Sequence, residues 1–71
     1  METWECACND FRRQGAIDCS LNDDGSIRAK FVDVILAEGF KNRRETSLQQ
    51  LNKPSDCIIN NAEPNVVIVN L

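Results

Sequence analysis

Four cysteines in a chain of 71 residues that has no histidine constrain the fold more than any other feature. A chain this short buries little apolar surface, so chains of this size usually need a covalent or metal cross-link for stability. Structural zinc sites favour closely paired cysteines, often with histidine. Here the close pair is Cys6-x-Cys8, while Cys19 and Cys57 stand alone. The cysteines therefore favour disulfides over zinc, and disulfides favour a secreted protein.

Alternating apolar and polar side chains predict short β-strands along most of the chain. Residues 3–9 place Trp4, Cys6 and Cys8 on one face, and residues 16–21 alternate in the same way. Four further runs also have strand character: 26–36, 46–51, 56–60 and 66–71. The sequence thus predicts one domain over 1–71, an all-β, six-stranded antiparallel sandwich stapled by disulfides. The β-branched run 66–71 is expected to be a central or doubly covered strand.

The turn signals divide these runs, and one run is ambiguous. Asp24-Gly25 is typical of a tight hairpin turn. Residues 10–15 and 37–45 are expected to be polar loops. The run 26–36 also fits helical spacing beyond Phe31, which leaves an alternative α+β fold with a helix at about 29–40.

The pairing of the cysteines stays partly open. A bond between Cys6 and Cys8 would close a very small ring and is the least favoured choice. If the first two strands form a hairpin, one of these two cysteines bonds Cys19 and the other reaches Cys57. We therefore expect two disulfides and no free thiol.

The residue inventory argues against catalysis. The chain contains no histidine and no tyrosine, which removes the usual general bases, and it has no phosphate-binding glycine loop. We expect a protein that is not an enzyme and that needs no cofactor or metal. The net charge of −3 gives no bulk attraction to nucleic acid or to an anionic membrane. No apolar run reaches the roughly 18 residues of a membrane span. We also expect the protein to be a monomer.

Two basic clusters stand out on this acidic chain. Arg12 and Arg13 form the first, and Lys41, Arg43 and Arg44 form the second. They are either solvated loop charges or a contact patch for an acidic partner protein. The sheet edges are a second candidate contact, since an exposed edge can add a partner strand.

The predicted strands and cysteines resemble the MAX effectors, small secreted virulence proteins of plant-pathogenic fungi. Cys6 or Cys8 would match that family's first-strand cysteine, and Cys57, in "DCIIN", its fifth-strand cysteine. The resemblance implies two three-stranded sheets and a disulfide between strands one and five. It also implies secretion by a fungus, delivery to or into host plant cells, and binding of a host protein such as an immune receptor or its decoy domain.

The predicted function is therefore that of a secreted, non-catalytic effector that binds a host protein. Two alternatives remain. The segments "CNDFRRQGAIDC", "NDDGS" and "VDV" resemble one half of the cyanovirin-type lectins, which implies binding of mannose-rich glycans, although the chain is too short for their paired repeat. A small secreted inhibitor or toxin is the other alternative.

Overall fold

The computed structural model describes residues 3–70 as an α+β fold with both helices on one face of a four-stranded sheet. The elements follow in the order α1 (Trp4–Arg13), β1 (Asp18–Leu21), β2 (Ile27–Lys30), α2 (Val34–Gln50), β3 (Cys57–Ile59) and β4 (Val66–Val69). All neighbouring strands are antiparallel, in the order β1-β2-β4-β3. The prediction of an all-β six-stranded sandwich is wrong, and the α+β alternative is the observed class.

The first predicted strand, residues 3–9, is part of helix α1. Thr3 caps this helix, and its hydroxyl accepts a hydrogen bond from the amide of Cys6 at 3.3 Å. Ala7 and Phe11 are buried one turn apart, whereas Cys6 is exposed. The alternation of apolar residues was thus misread, because the burial follows a helical period.

Helix α1 extends through most of the predicted loop 10–15 and ends in a Schellman motif. Gly15 has a φ of 110°, a conformation that a residue without a side chain adopts readily. Its amide donates to the carbonyl of Arg12, and the amide of Ala16 donates to the carbonyl of Phe11, both at 3.1 Å. Ala16 and Phe11 are both buried, so this turn also aims the chain back at the core.

The hairpin between β1 and β2 is confirmed at the predicted turn. Gly25 has a φ of 89°, and the amide of Asn22 donates to the carbonyl of Ser26 at 2.8 Å. The Asp24 carboxylate accepts from the hydroxyl and the amide of Ser26 at 2.5 and 2.9 Å, and these bonds lower the pKa of Asp24.

Helix α2 replaces the second half of the strand predicted at 26–36, the polar loop 37–45 and the strand predicted at 46–51. Strand β2 stops at Lys30, and the Asp33 carboxylate then caps α2 by accepting from the amide of Leu36 at 2.9 Å. The helix begins later and runs about ten residues further than the alternative at 29–40 suggested. Its predicted loop, 37–45, is helical throughout.

A second Schellman motif ends α2. Asn52 takes the left-handed conformation with a φ of 57°, and its amide donates to the carbonyl of Gln49 at 3.0 Å. The amide of Lys53 reaches the carbonyl of Leu48 at 2.8 Å, which completes the motif. Pro54 follows directly and cannot continue the helix.

The core lies between the sheet and the two helices. Strand β4 is central in the sheet, as predicted for residues 66–71, and Val66, Val67 and Val69 are fully buried. The rings of Phe11 and Phe40 meet edge to face with centroids 5.1 Å apart. The ring of Phe31 lies 5.0 Å from Phe40.

One disulfide forms, between Cys8 and Cys19, with Cα atoms 5.7 Å apart. It joins α1 to the edge strand β1. Cys6 is an exposed free thiol and Cys57 a buried one, so the expectation of two disulfides is corrected to one. Strands β1 and β3 lie at opposite edges, three strand spacings or roughly 14 Å apart, which places Cys57 out of reach of the α1 cysteines.

We predict that thiol labelling will separate three classes of cysteine. Under native, non-reducing conditions iodoacetamide should modify Cys6 rapidly and spare Cys57, which is 4 % exposed. Denaturation without reductant should give two labels per chain, and reduction should give four, each counted by intact mass. A denatured, unreduced chain that takes up no label would contain two disulfides and would contradict this arrangement.

Candidate functional site

The free thiol of Cys57 has the environment of a packing residue. Its sulfur lies 3.9 Å from the carbonyl oxygen of Lys41 and 4.0 Å from the hydroxyl of Ser55. Burial raises the pKa of Cys57, so the reactive thiolate is disfavoured.

Residues 3–70 contain neither a metal-binding cluster nor a membrane-spanning helix. No three side chains of histidine, cysteine, aspartate or glutamate are grouped there so that they could hold a metal ion. In the same residues, no helix has the length and apolar character needed to cross a membrane.

The five basic residues predicted as a contact patch lie on helices rather than loops. Two are exposed in the last turn of α1 and three lie in the middle of α2: Arg12, Arg13, Lys41, Arg43 and Arg44. They divide into two groups, because some are held by carboxylates of the same chain and others are not.

Arg44 is committed to the fold. Its guanidinium donates two hydrogen bonds to the Asp56 carboxylate, at 2.8 and 2.7 Å, which is the bidentate geometry of a strong pair. The same guanidinium lies 5.4 Å from the centroid of the Phe11 ring. Both partners of the ion pair are largely covered, with about one fifth of each side chain exposed. Arg44 therefore ties α2 to α1 and to the segment that enters β3.

Lys41 is also paired. It forms an ion pair with Glu45 one turn further along α2, and Glu45 accepts a hydrogen bond from the Ser55 hydroxyl at 3.3 Å. The bond between Lys41 and Glu45 raises the pKa of the lysine and lowers that of the glutamate. Lys41 is thus partly neutralised where it stands.

Arg12, Arg13 and Arg43 form no ion pair with any residue in the described range 3–70 and are exposed. The Arg43 side chain turns back along α2 towards Gly39. Its Nη1 atom lies 3.3 Å from the place that a Cβ atom on Gly39 would occupy. Of the five predicted residues, these three have the charge available for a partner.

Arg43 also lines a cleft between the two helices. This interhelical cleft has a volume of about 240 Å³ and is lined by Asp10, Gln14, Phe40, Arg43, Arg44 and Ser47. The Asp10 carboxylate accepts a hydrogen bond from the Gln14 amide at 3.0 Å. Asp10 and Arg43 line the same cleft but do not form an ion pair with each other.

The sheet edges, the other predicted contact, are both short. At β1, which has four residues, the Asp18 carboxylate accepts a hydrogen bond from the edge amide of Cys19 at 2.9 Å. At β3 the strand has only three residues, and the Ser55 hydroxyl lies 3.5 Å from the carbonyl oxygen of Cys57. Short edges with local side-chain caps are poor templates for a partner strand.

Several exposed aliphatic residues lie at the end of the sheet where β2 leads into α2. The connection into β1 reaches this end as well, since the amide of Ile17 donates to the carbonyl of Lys30 at 2.8 Å. We call five exposed aliphatic residues here the apolar end: Ile17 (57 % exposed), Val32 (65 %), Val34 (39 %), Ile35 (79 %) and Leu36 (45 %).

This surface was not predicted, because its residues lay within the strands predicted at 16–21 and 26–36. A helix turns by roughly 100° per residue, so adjacent positions such as 34, 35 and 36 cannot all face one core. The signal available in the sequence was Asp33, a preferred helix cap, followed directly by three aliphatic residues.

Comparison with known proteins identified no relative. No family model, no curated protein and no solved structure matches this chain. The function of this chain therefore has to be inferred from its own surfaces.

We predict that adjacent arginines of α2 differ sharply in their effect on stability. Arg44→Ala should lower the free energy of unfolding by about 1–3 kcal/mol, because it leaves the partly buried Asp56 carboxylate without its partner. Arg43→Ala should change it by less than about 0.5 kcal/mol, since it removes no ion pair. Urea unfolding of both variants with the disulfide intact measures the difference. Equal losses would show that Arg44 has no special structural role.

Proposed function

We propose that this chain is a secreted, non-catalytic protein that binds another protein through its apolar end. The observation that carries the proposal is the exposure of Val32 and Val34–Leu36, four aliphatic side chains within five consecutive positions. Single exposed aliphatic residues are ordinary on protein surfaces, whereas clustered ones mark interaction sites.

The local structure holds this surface in place. Phe31, directly before it, is fully buried, and its amide donates to the carbonyl of Asn65 at 2.9 Å. The Asn65 side chain donates in turn to the carbonyl of Phe31 at 2.9 Å. Asp33 then starts α2, so the exposed residues stand on a fixed turn and the first turn of a helix. A preformed surface loses little conformational entropy on binding.

The charges beside the apolar end favour a protein over a lipid membrane. Membrane-binding surfaces combine apolar side chains with several lysines or arginines and aromatic anchors. Here the exposed carboxylates of Asp33 and Glu38 lie within the aliphatic segment itself, whereas the nearby Arg12 and Arg13 lie on α1, and the five residues of the surface include no aromatic anchor. These carboxylates would be repelled by an anionic lipid surface.

The unpaired Arg12 and Arg13 lie in the last turn of α1, which leads to the same end of the sheet. We propose that they contact acidic side chains at the rim of the interface. Rim charges of this kind mainly increase the association rate and make it sensitive to salt. The partner expected is therefore a protein with an apolar surface bordered by carboxylates.

Secretion is supported by the disulfide between Cys8 and Cys19, a bond characteristic of oxidising compartments. The absence of histidine and tyrosine from the sequence supports a non-catalytic role. The effector resemblance relied on six strands and a bridge to Cys57, and the structure has four strands and a free Cys57. The proposal therefore does not use it to identify a host or a receptor.

We predict that Ile35→Glu will abolish partner binding while Ile58→Glu will not. Both isoleucines are exposed, by 79 % and 58 %, but Ile58 lies on β3, away from the apolar end. Each variant and the parent protein should be immobilised and used to capture proteins from extracellular fluid. A true partner is captured by the parent protein and by Ile58→Glu but not by Ile35→Glu. Calorimetry with the purified partner should give the same order of binding for the three proteins.

Three results would contradict the proposal. Equal capture by all three baits would show that the apolar end is not the interface. A dimer of this chain in sedimentation, dissociated by Ile35→Glu, would assign the surface to self-association. Saturable binding of mannose-rich oligosaccharide, unaffected by Ile35→Glu, would favour the lectin alternative.

A further inference from the structure

The interhelical cleft lies beside the aromatic contact between the two helices, and Phe40 is one of its lining residues. Helices α1 and α2 meet below it through the edge-to-face contact of Phe11 and Phe40, and both rings are buried. The Arg44 guanidinium is fixed beside this contact by its two bonds to Asp56. Phe40 and Arg44, which both line the cleft, are thus held by contacts of the fold itself.

The charges on its walls are of opposite sign and are not paired with each other. Arg44 is neutralised by Asp56, which leaves Asp10 on α1 and Arg43 on α2 as the unmatched charges of the cleft. Both residues are exposed. Neither forms an ion pair with another residue in 3–70.

Gly39 lies next to the Arg43 guanidinium. A glycine inside a helix lowers stability by roughly 1 kcal/mol relative to alanine. At this position the missing side chain leaves room for the guanidinium, which would lie 3.3 Å from an added Cβ atom. The guanidinium therefore lies against the helix backbone, beside the cleft that it lines.

We propose that the interhelical cleft binds a dipolar peptide segment, with a carboxylate against Arg43 and a cationic side chain against Asp10. Arginine binds carboxylates through two parallel hydrogen bonds, and a carboxylate accepts from ammonium or guanidinium groups. A ligand with a single charge satisfies one wall and approaches a like charge on the other. The Ser47 hydroxyl and the Gln14 amide supply further hydrogen bonds.

The assignment of this ligand to a partner protein depends on the function proposed above, whereas the binding chemistry of the cleft does not. The cleft and the apolar end share no residue. The two proposals can therefore fail separately.

The test uses small linear probes and the ¹⁵N-labelled, disulfide-bonded chain. 6-Aminohexanoate carries both charges, while hexanoate and hexylammonium carry one each. We expect 6-aminohexanoate to shift the amide resonances of Asp10, Gln14, Gly39, Arg43 and Ser47 in a saturable way in the millimolar range. Hexanoate and hexylammonium should bind about tenfold more weakly, as expected when one charged contact is lost.

Variants assign the two contacts. Arg43→Gln and Asp10→Asn should each weaken 6-aminohexanoate about tenfold, and Arg12→Gln, an exposed arginine of α1 outside the cleft, should leave binding unchanged. Gly39→Ala should raise the melting temperature by a few degrees through helix propensity.

Several outcomes would overturn the inference. Hexanoate that binds as tightly as 6-aminohexanoate would reduce the cleft to a carboxylate site, and shifts that map elsewhere would remove the site altogether. Ile35→Glu should leave the probe titration unaltered, so loss of partner binding at the apolar end is distinguished from loss of the cleft.

Discussion

The contact of Phe40 with Phe11 and Phe31 is the interaction on which this structure depends. These are the three phenylalanines of the chain, and they come from α1, from the residue after β2 and from α2. A small domain has few large side chains to bury, so placing all three in one cluster concentrates its apolar stabilisation where the helices and the sheet meet. The disulfide between Cys8 and Cys19 then fixes α1 on β1, at the edge of the sheet farthest from β3.

Arg44 extends this cluster with a charge. Its guanidinium lies over the Phe11 ring and binds Asp56, the residue directly before β3. One side chain thereby connects α1, α2 and the sheet edge that the disulfide does not reach. This explains why adjacent arginines have different roles. Arg44 lies on the side of α2 that faces the core, while Arg43, one position earlier, is exposed and forms no ion pair in residues 3–70.

The sequence supported some parts of this fold and misled on others for physical reasons. The Asp24-Gly25 hairpin and the central strand β4 were predictable, because turn chemistry and a β-branched run act locally. Helix α1 was missed because Trp4, Cys6 and Cys8 satisfy a period of two by accident, and α2 was foreseen only as the alternative helix at about 29–40. The informative residues were the caps Thr3 and Asp33. Six strands were then expected where four exist, and Cys57 was paired with a helix that lies over the opposite half of the sheet.

The candidate surfaces could be predicted only in part, because the sequence does not show which side chains the fold brings together. Composition identifies a basic residue but not its partner, so Lys41 and Arg44 looked as available as Arg43 until Glu45 and Asp56 were placed beside them. Conversely, the aliphatic residues 32–36 looked like core until a helix was found to begin at Val34, which forces part of that run into solvent. A surface is defined by what the fold leaves unmatched. The two surfaces proposed for binding are unmatched in this sense: the apolar end exposes aliphatic side chains, and the interhelical cleft is lined by two opposite charges that do not pair with each other.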